Sequence, residues 1–249
     1  MSARRRHGGR NALLLIAALF ALWQAIYWAV GDIALSSPLA TLRYTAQLVT
    51  GEDFRMHLFD TMRAFAIAFV LSVVIGLLVG FWLGFDRLSG DALEPMIVTV
   101  YAIPKLTLYP ILLLAFGLGL SAKVAFGVLH GTIPIILFTL GAVRNTRPIL
   151  LKTGHVLKLS RSQMVRWILF PAAIPEIFTG LRVGFSLTLI GSLLAEMFAS
   201  QRGLGYLLMN GIGLHNIELV MSVTLLIVVF AASVSTLLLH IDRRLHRQE

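Results

Sequence analysis

The chain has 249 residues, of which 57% are hydrophobic and only 13% are charged. Soluble domains are usually about 45–50% apolar and about 25% charged, so this composition excludes an ordinary water-soluble globule and a disordered chain. The net charge is +9 and the sequence has no cysteine, which excludes disulfides, thiolate metal sites and a cysteine nucleophile. The sparse cations lie between apolar runs, a pattern that favours a membrane protein over a protein that binds nucleic acid.

Six apolar runs are long enough to cross a membrane, since a spanning helix needs about 20 mostly apolar residues. They cover roughly residues 12–30, 64–85, 96–118, 124–142, 180–199 and 219–240. The first run is longer than the apolar region of a signal peptide, which has about 7–15 residues, so we interpret it as an uncleaved span. No alternating β pattern competes with these runs. The sequence therefore predicts an all-α integral membrane protein with six transmembrane helices.

The distribution of Lys and Arg predicts the orientation, because cytoplasmic segments of membrane proteins are enriched in cations. One set of segments holds fifteen of them: Arg4, Arg5, Arg6, Arg10, Arg87, Arg144, Arg147, Lys152, Lys158, Arg161, Arg166, Arg182, Arg243, Arg244 and Arg247. The opposite set holds five: Arg43, Arg55, Arg63, Lys123 and Arg202. We therefore expect both termini to lie in the cytoplasm, which an even number of spans allows.

The outer segment at roughly residues 31–62 is predicted to carry a short amphipathic helix rather than a span. Ser36-Ser37-Pro38 is a helix-start signal, and apolar residues then recur at helical spacing from Leu39 to Val49. A connecting helix that caps the bundle is a better interpretation of this segment than a ligand site.

The cytoplasmic stretch between spans four and five, about residues 143–178, is too long for a tight helix hairpin. Pro148 opens a first short helix, and Ser160 is predicted to cap a second one that Pro171 ends. The two helices would carry apolar and basic faces. Such a surface could lie on anionic membrane lipid or dock into a groove on a soluble partner.

Two charges fall inside predicted spans, where each calls for a partner or a cavity. Lys105 directly follows Pro104, which should kink or break the third span. Lys105 could therefore lie on a transport path and attract an anion, or it could snorkel or pair with a neighbour. Glu196 lies late in span five, where we expect a structural hydrogen bond or ion pair rather than contact with a substrate. Tyr109 and Ser192 could line a polar path or bond their own helix backbones.

Several motifs in register resemble the permease subunits of bacterial ABC importers, specifically the sulfonate/nitrate/taurine-type family. The resemblance covers roughly residues 55–245. It rests on Ile103-Pro104-Lys105, Tyr109-Pro110, Phe116-Gly117-Leu118-Gly119, Leu157-Lys158-Leu159-Ser160, Ile168 to Pro175, Gly180-Leu181-Arg182, Ala195-Glu196 and Gly203-Leu204-Gly205-Tyr206.

This resemblance implies a type I ABC importer permease fold in the bacterial inner membrane. Residues 1–62 would form the tail, first span and outer segment, and residues 63–245 the permease domain with its coupling loop at about 143–178. The implied partners are ABC ATPase subunits, an extracytoplasmic substrate-binding protein and a second permease subunit, most simply in a homodimer. The chain would perform no catalysis and need no cofactor. Its cargo would be a sulfonate-, nitrate- or taurine-like anion or a related small molecule.

The coupling loop of that family carries a Glu-Ala-Ala motif, from which this sequence departs. Lys152-Thr153-Gly154 stand where the family has Glu-Ala-Ala, and Lys158 stands where it has Gly. The Ile-x-x-Pro end survives as Ile168 and Pro171. By position, the residues implied in ATPase coupling are Lys152, Thr153, Gly154, His155, Leu157, Lys158, Ser160, Ile168 and Pro171. A partner with a compensating acidic rim is our hypothesis.

Positions on the possible translocation pathway are Pro104, Lys105, Tyr109, Ser192 and Glu196.

No phosphate-binding loop of the Gly-x-x-x-x-Gly-Lys-Ser/Thr type occurs in the sequence, so the chain should not hydrolyse ATP itself. A stand-alone secondary transporter or channel is one alternative, although it would more often show a relay of intramembrane carboxylates. A non-transporting membrane scaffold whose basic loop binds lipid or a partner is the other.

Overall fold

A computed structural model describes the backbone of residues 3–245 and the side chains of residues 14–160 and 162–242. The side chains of Arg4, Arg5, Arg6, Arg10, Arg161, Arg243, Arg244 and Arg247, which contribute to the predicted orientation, lie outside these ranges. The helices are α1 (Ala3–Val30), α2 (Pro38–Thr50), α3 (Glu52–Phe85), α4 (Arg87–Ala102), α5 (Tyr109–Phe116), α6 (Leu120–Arg144), α7 (Pro148–Val156), α8 (Arg161–Met164), α9 (Phe170–Ala199), α10 (Leu204–Gly213) and α11 (Ile217–Leu245). The described backbone contains no strand.

Among the described residues, four helical segments are long and apolar enough to cross a membrane: α3, α6, the segment 162–199 that contains α9, and α11 up to residue 242. Helix α4 and the segment Lys105–Phe116 pass the same test together and are bent by 90° relative to each other, as in a broken span or a re-entrant loop. The apolar part of α1, Leu14–Val30, is shorter. The prediction of an all-helical membrane protein is confirmed, and a sixth span in α1 stays a prediction.

The break in the third predicted span lies at Pro104, as the sequence indicates. Residues Lys105–Leu108 form one turn of 3₁₀-helix, in which the Thr107 N–H and hydroxyl both donate to the Pro104 carbonyl, at 3.1 and 2.7 Å. Pro110 does not interrupt the chain further, because it stands in the first turn of α5, where a missing N–H costs no helical hydrogen bond.

The predicted outer helix is present as α2, and its start is capped as expected. The Ser37 hydroxyl accepts a hydrogen bond from the Ala40 N–H at 3.2 Å, and Pro38 occupies the first turn. However, α3 begins at Glu52, so residues 52–62 belong to a spanning helix rather than to the outer loop, and the boundary drawn at residue 62 falls inside α3. Glu52 and Asp53 favour this early start because they complement the positive end of the helix dipole.

Helices α3, α6 and α9 form the tightly packed core. Gly76 and Gly80 of α3 lie directly against Ile135 and Thr139 of α6. A Cβ atom at Gly80 would lie only 2.6 Å from the Thr139 Cβ, so a larger residue there would separate the two helices. Gly76 and Gly80 stand four residues apart in the second predicted span, the small-xxx-small spacing that lets membrane helices pack closely.

Candidate functional site

Residues 148–169, here called the arm, connect α6 to α9 and consist of α7, a turn, α8 and a π turn at Val165–Leu169. The arm exposes large apolar side chains: Ile149 is 65% exposed, Val156 81% and Trp167 67%. Lys152, His155, Lys158 and Arg166 are exposed as well, and the arm contains no Asp or Glu. Apolar groups mixed with unopposed cations are typical of a surface that another molecule covers.

The two halves of the arm are held together through Gly154. A Cβ atom at this position would lie 2.5 Å from the Met164 sulfur and 2.8 Å from the Ile168 Cδ1. The glycine that replaces the family's second alanine therefore lets α7 approach the π turn closely. Ile168, one of the predicted coupling residues, is half-buried in this contact rather than exposed.

The turn after α7 keeps a glycine-type backbone even though it contains Lys158. Lys158 has a φ of 52°, in the left-handed region that favours glycine. The Lys158 N–H donates to the His155 carbonyl and the Leu159 N–H to the Gly154 carbonyl, both at 3.0 Å, as in a Schellman helix end. Lys158 thus departs from the family pattern in residue type, but it keeps the backbone conformation that a glycine would adopt.

The start of the second half is capped as predicted, but its end is not where the sequence placed it. The Ser160 N–H donates to Gln163 Oε1 at 2.8 Å, and the Gln163 N–H to the Ser160 hydroxyl at 3.3 Å, which forms a capping box. The prediction that Pro171 ends this helix is wrong. Pro171 falls in the first turn of α9, just after the π turn, and the helical segment runs on from Ser162 to Ala199.

The other predicted coupling residues are exposed on the arm or beside it: Lys152, Thr153, His155, Leu157, Lys158, Ser160 and Pro171. The Thr153 hydroxyl donates to the Ile149 carbonyl at 2.9 Å, and the His155 Nδ1 lies 2.7 Å from the Leu151 carbonyl. Both side chains therefore bond their own helix, and the long cations provide the groups free to reach a partner.

Arg144, in the last turn of α6, connects the root of the arm to α4. Its Nη1 lies 2.8 Å from Asp91 and 3.0 Å from Glu94, and its Nη2 donates to the Arg87 carbonyl at 3.3 Å. Gly90 leaves room for this guanidinium, which lies against it. A displacement of the arm at the end of α6 would therefore also displace α4.

At the opposite end of α9, Glu196 is completely buried in a polar cluster. Its carboxylate accepts hydrogen bonds from the Thr61 hydroxyl at 2.7 Å and the Gly205 N–H at 3.1 Å, and it pairs with Lys123 Nζ at 3.4 Å. Lys123 is 5% exposed. The structural role expected for Glu196 fits these contacts. Sequence reasoning missed Lys123, which it assigned to the outer loops, although its place directly before an apolar run was a signal.

The same cluster fixes the start of α10. The Leu204 N–H donates to the Thr61 hydroxyl at 2.8 Å, and the Gly203 N–H donates to His57 Nδ1 at 3.0 Å. Lys123 Nζ donates to the Arg202 carbonyl at 2.6 Å. Side chains of α3 and α6 thereby hold the glycine-rich segment after α9 through hydrogen bonds to its backbone.

No hydrogen bond or ion pair joins the side chains of two predicted pathway residues within the described part of the chain. Lys105 donates to the Tyr101 carbonyl at 2.9 Å and lies 4.8 Å from the centroid of that ring, so it pairs locally, beside Pro104. The Tyr109 hydroxyl donates to the Ala195 carbonyl at 2.8 Å, next to Glu196. Ser192 is buried, and its hydroxyl has no partner among the described residues.

Comparison with known proteins assigns this architecture. Residues 72–247 match the family model of binding-protein-dependent transport system inner membrane components. The chain is 26% identical to an aliphatic sulfonates transport permease, SsuC, of Bacillus subtilis over 83% of this chain and 76% of that protein. It is 32% identical to the riboflavin transport system permease RibX of Chloroflexus aurantiacus over 78% and 75%. An inward-facing structure of the MetNI methionine ABC transporter shares the fold, with a TM-score of 0.66 at 18% identity over 78% of this chain and 99% of that chain.

Proposed function

This chain belongs to the family of binding-protein-dependent transport system inner membrane components, and on that premise we propose that its arm docks on the ATPase while its helices line the path of a small anion. It is the membrane-spanning permease subunit of an ATP-driven ABC importer. Such a subunit performs no catalysis, because ATP hydrolysis belongs to the partner ATPase. The family implies a substrate-binding protein and a second permease as further partners.

The observation that carries the docking proposal is the exposed surface of the arm. Ile149, Val156 and Trp167 expose apolar area that a groove could cover, and Lys152 and Lys158 surround it with positive charge. A short helix that lays an apolar face into a groove is a common mode of recognition. An ATPase whose groove has an acidic rim would complement both features.

The orientation and assembly complete the proposal. Both termini and the arm lie in the cytoplasm, on the side that carries most of the cations. Two copies of this chain form a homodimer above two ATPase subunits. Closure of the ATPases brings the two arms together, and Arg144 carries that displacement to α4, so that the pathway switches the side to which it opens.

A small anion is the proposed cargo. The outer face supplies arginines beside an open cavity, and the Bacillus subtilis relative is named for sulfonates. A stand-alone secondary transporter fits less well, because Glu196, the acidic residue inside the fifth predicted span, is engaged by Lys123, Thr61 and Gly205 and offers no free carboxylate for a proton relay.

Reconstitution tests the function. The permease in proteoliposomes with its cognate ATPase and binding protein should take up a labelled sulfonate or nitrate only when ATP is supplied. Uptake without ATP or without the ATPase would contradict the proposal.

Co-purification tests the docking surface separately. Replacing Lys152 and Lys158 together by Ala should lower recovery of the ATPase with the permease, whereas Arg87→Ala, an exposed cation on the same side outside the arm, should not. Unchanged recovery of the ATPase by the double variant would remove these two lysines from the interface.

A further inference from the structure

An open cavity in the described part of the chain lies beside the buried Glu196 cluster. It has a volume of about 570 Å³ and lies between α3, the start of α6 and the loop after α9. Its lining includes Asp60, Arg63, Lys123, Ser200 and Arg202. Sites for small molecules are typically about 300–1,000 Å³, so the space suits a small solute with part of its hydration shell.

The charges around this outer cavity leave an excess of positive charge. Lys123 is neutralised by Glu196, which lies behind the cavity wall. Arg63 and Arg202 are exposed, and no carboxylate of the described residues lies within 4.0 Å of either guanidinium. Asp60 is the one acidic group among the lining residues. Two free guanidinium groups against one carboxylate favour an anion.

The chemistry of these groups narrows the class of ligand. Guanidinium is planar and offers paired N–H donors that match the oxygens of a carboxylate, sulfonate or nitrate. The Ser200 hydroxyl is already engaged with the Arg202 backbone, so the two arginines are the main donors. Helix α6 begins beside the cavity without a side-chain cap, and the positive end of its dipole adds to the same field.

We propose that this outer cavity is an oxyanion site, in which Arg63 and Arg202 hold the sulfonate, nitrate or carboxylate group of the solute at the outer mouth of the pathway. The inference rests on the proposed function, since it assigns the first contact of the imported anion with the permease. It also joins that contact to the buried Glu196 cluster, because the Arg202 carbonyl accepts a hydrogen bond from the same Lys123 that pairs with Glu196.

Direct binding tests the site. The assembled permease–ATPase complex in nanodiscs, without binding protein, is titrated with ethanesulfonate, nitrate and succinate, and with the neutral ethyl methyl sulfone as a matched probe. At least one of the anions should bind and the sulfone should not. Arg63→Gln and Arg202→Gln should each raise the Kd of that anion about tenfold, because each removes a charge-assisted pair. Arg43→Gln removes an exposed outer cation that does not line the cavity and serves as the control.

Three results would overturn the oxyanion site. One is that none of the anions binds, and another is that they bind equally well to the Arg63 and Arg202 variants. In the third, the complex binds no anion but the variants raise the concentration of binding protein needed for half-maximal uptake, which would assign the arginines to docking of that protein. Loss of ATP-driven uptake by the wild-type complex would instead contradict the proposed function.

Discussion

The two ends of α9 are built in opposite ways. At one end, Glu196 is fully buried and its carboxylate is bound by Thr61, Gly205 and Lys123. At the other end the helix continues into the arm, which exposes apolar and basic side chains. Separating a buried charge from its partner costs free energy, whereas covering an exposed apolar face lowers the free energy. The difference supports the proposal that one end fixes the helix within the permease and the other binds the ATPase.

Removing the Glu196 carboxylate should have the largest effect. Glu196→Leu keeps a similar volume but leaves the Lys123 ammonium buried without its counterion, and we expect a loss of about 3–5 kcal/mol in the free energy of unfolding. Unfolding by detergent titration measures it, with the exposed Glu218→Gln as control. The double variant Lys123→Met/Glu196→Leu should lose less than the sum of the single variants. Additive losses would mean that the pair is not coupled.

Arg144→Gln comes next, since it weakens the link between the arm and α4. Asp91 is exposed and Glu94 is partly exposed, so the expected loss of stability is only about 1 kcal/mol. The number of solutes transported per ATP hydrolysed should fall more clearly, because the arm would then move without α4. Arg87→Gln, which leaves the backbone carbonyl used by Arg144 in place, should leave that ratio unchanged. An unchanged ratio in Arg144→Gln would exclude this route of coupling.

Gly154→Ala tests the close contact inside the arm. The added methyl would meet the ends of Met164 and Ile168, and these flexible side chains could yield at a cost of about 1 kcal/mol or more. Limited proteolysis of the arm should therefore be faster in this variant. Gly213→Ala has open space around its Cβ and serves as the control. Equal proteolysis rates of the arm in the two variants would contradict the close packing of α7 on the π turn.

Lys158→Gly should have the smallest effect, in the stabilising direction. A left-handed conformation costs a residue with a Cβ about 1–2 kcal/mol, part of which is offset by the greater freedom of glycine in the unfolded chain. A net gain of about 0.5 kcal/mol should appear as slower proteolysis of the arm. Lys158→Ala keeps the strain and removes the charge, so it separates the backbone effect from the loss of a cation. Faster proteolysis of Lys158→Gly than of the wild type would show that the turn does not need the left-handed backbone conformation at this position.

The sequence predicted most of the fold because membrane helices have strong local signals. The apolar runs, the break at Pro104 and the glycine spacing of α3 each follow from residues close together in the chain. The partner of Glu196 could not be found in this way, since Lys123 lies 73 positions earlier and no local pattern links the two residues. The prediction that a helix ends at Pro171 was wrong for another reason. A proline stops a helix only where its N–H is needed, and the π turn before it changes which hydrogen bonds are made.

The absence of a stop at Pro171 has a mechanical consequence. Residues Ser162–Ala199 form one helical segment of 38 residues, about 57 Å at 1.5 Å per residue. No flexible loop separates the arm from the helix that carries Glu196. A force applied to the arm therefore tilts or rotates the whole helical segment, up to its far end across the membrane. Bending of this segment is expected at Val165–Leu169, where the hydrogen-bond register changes.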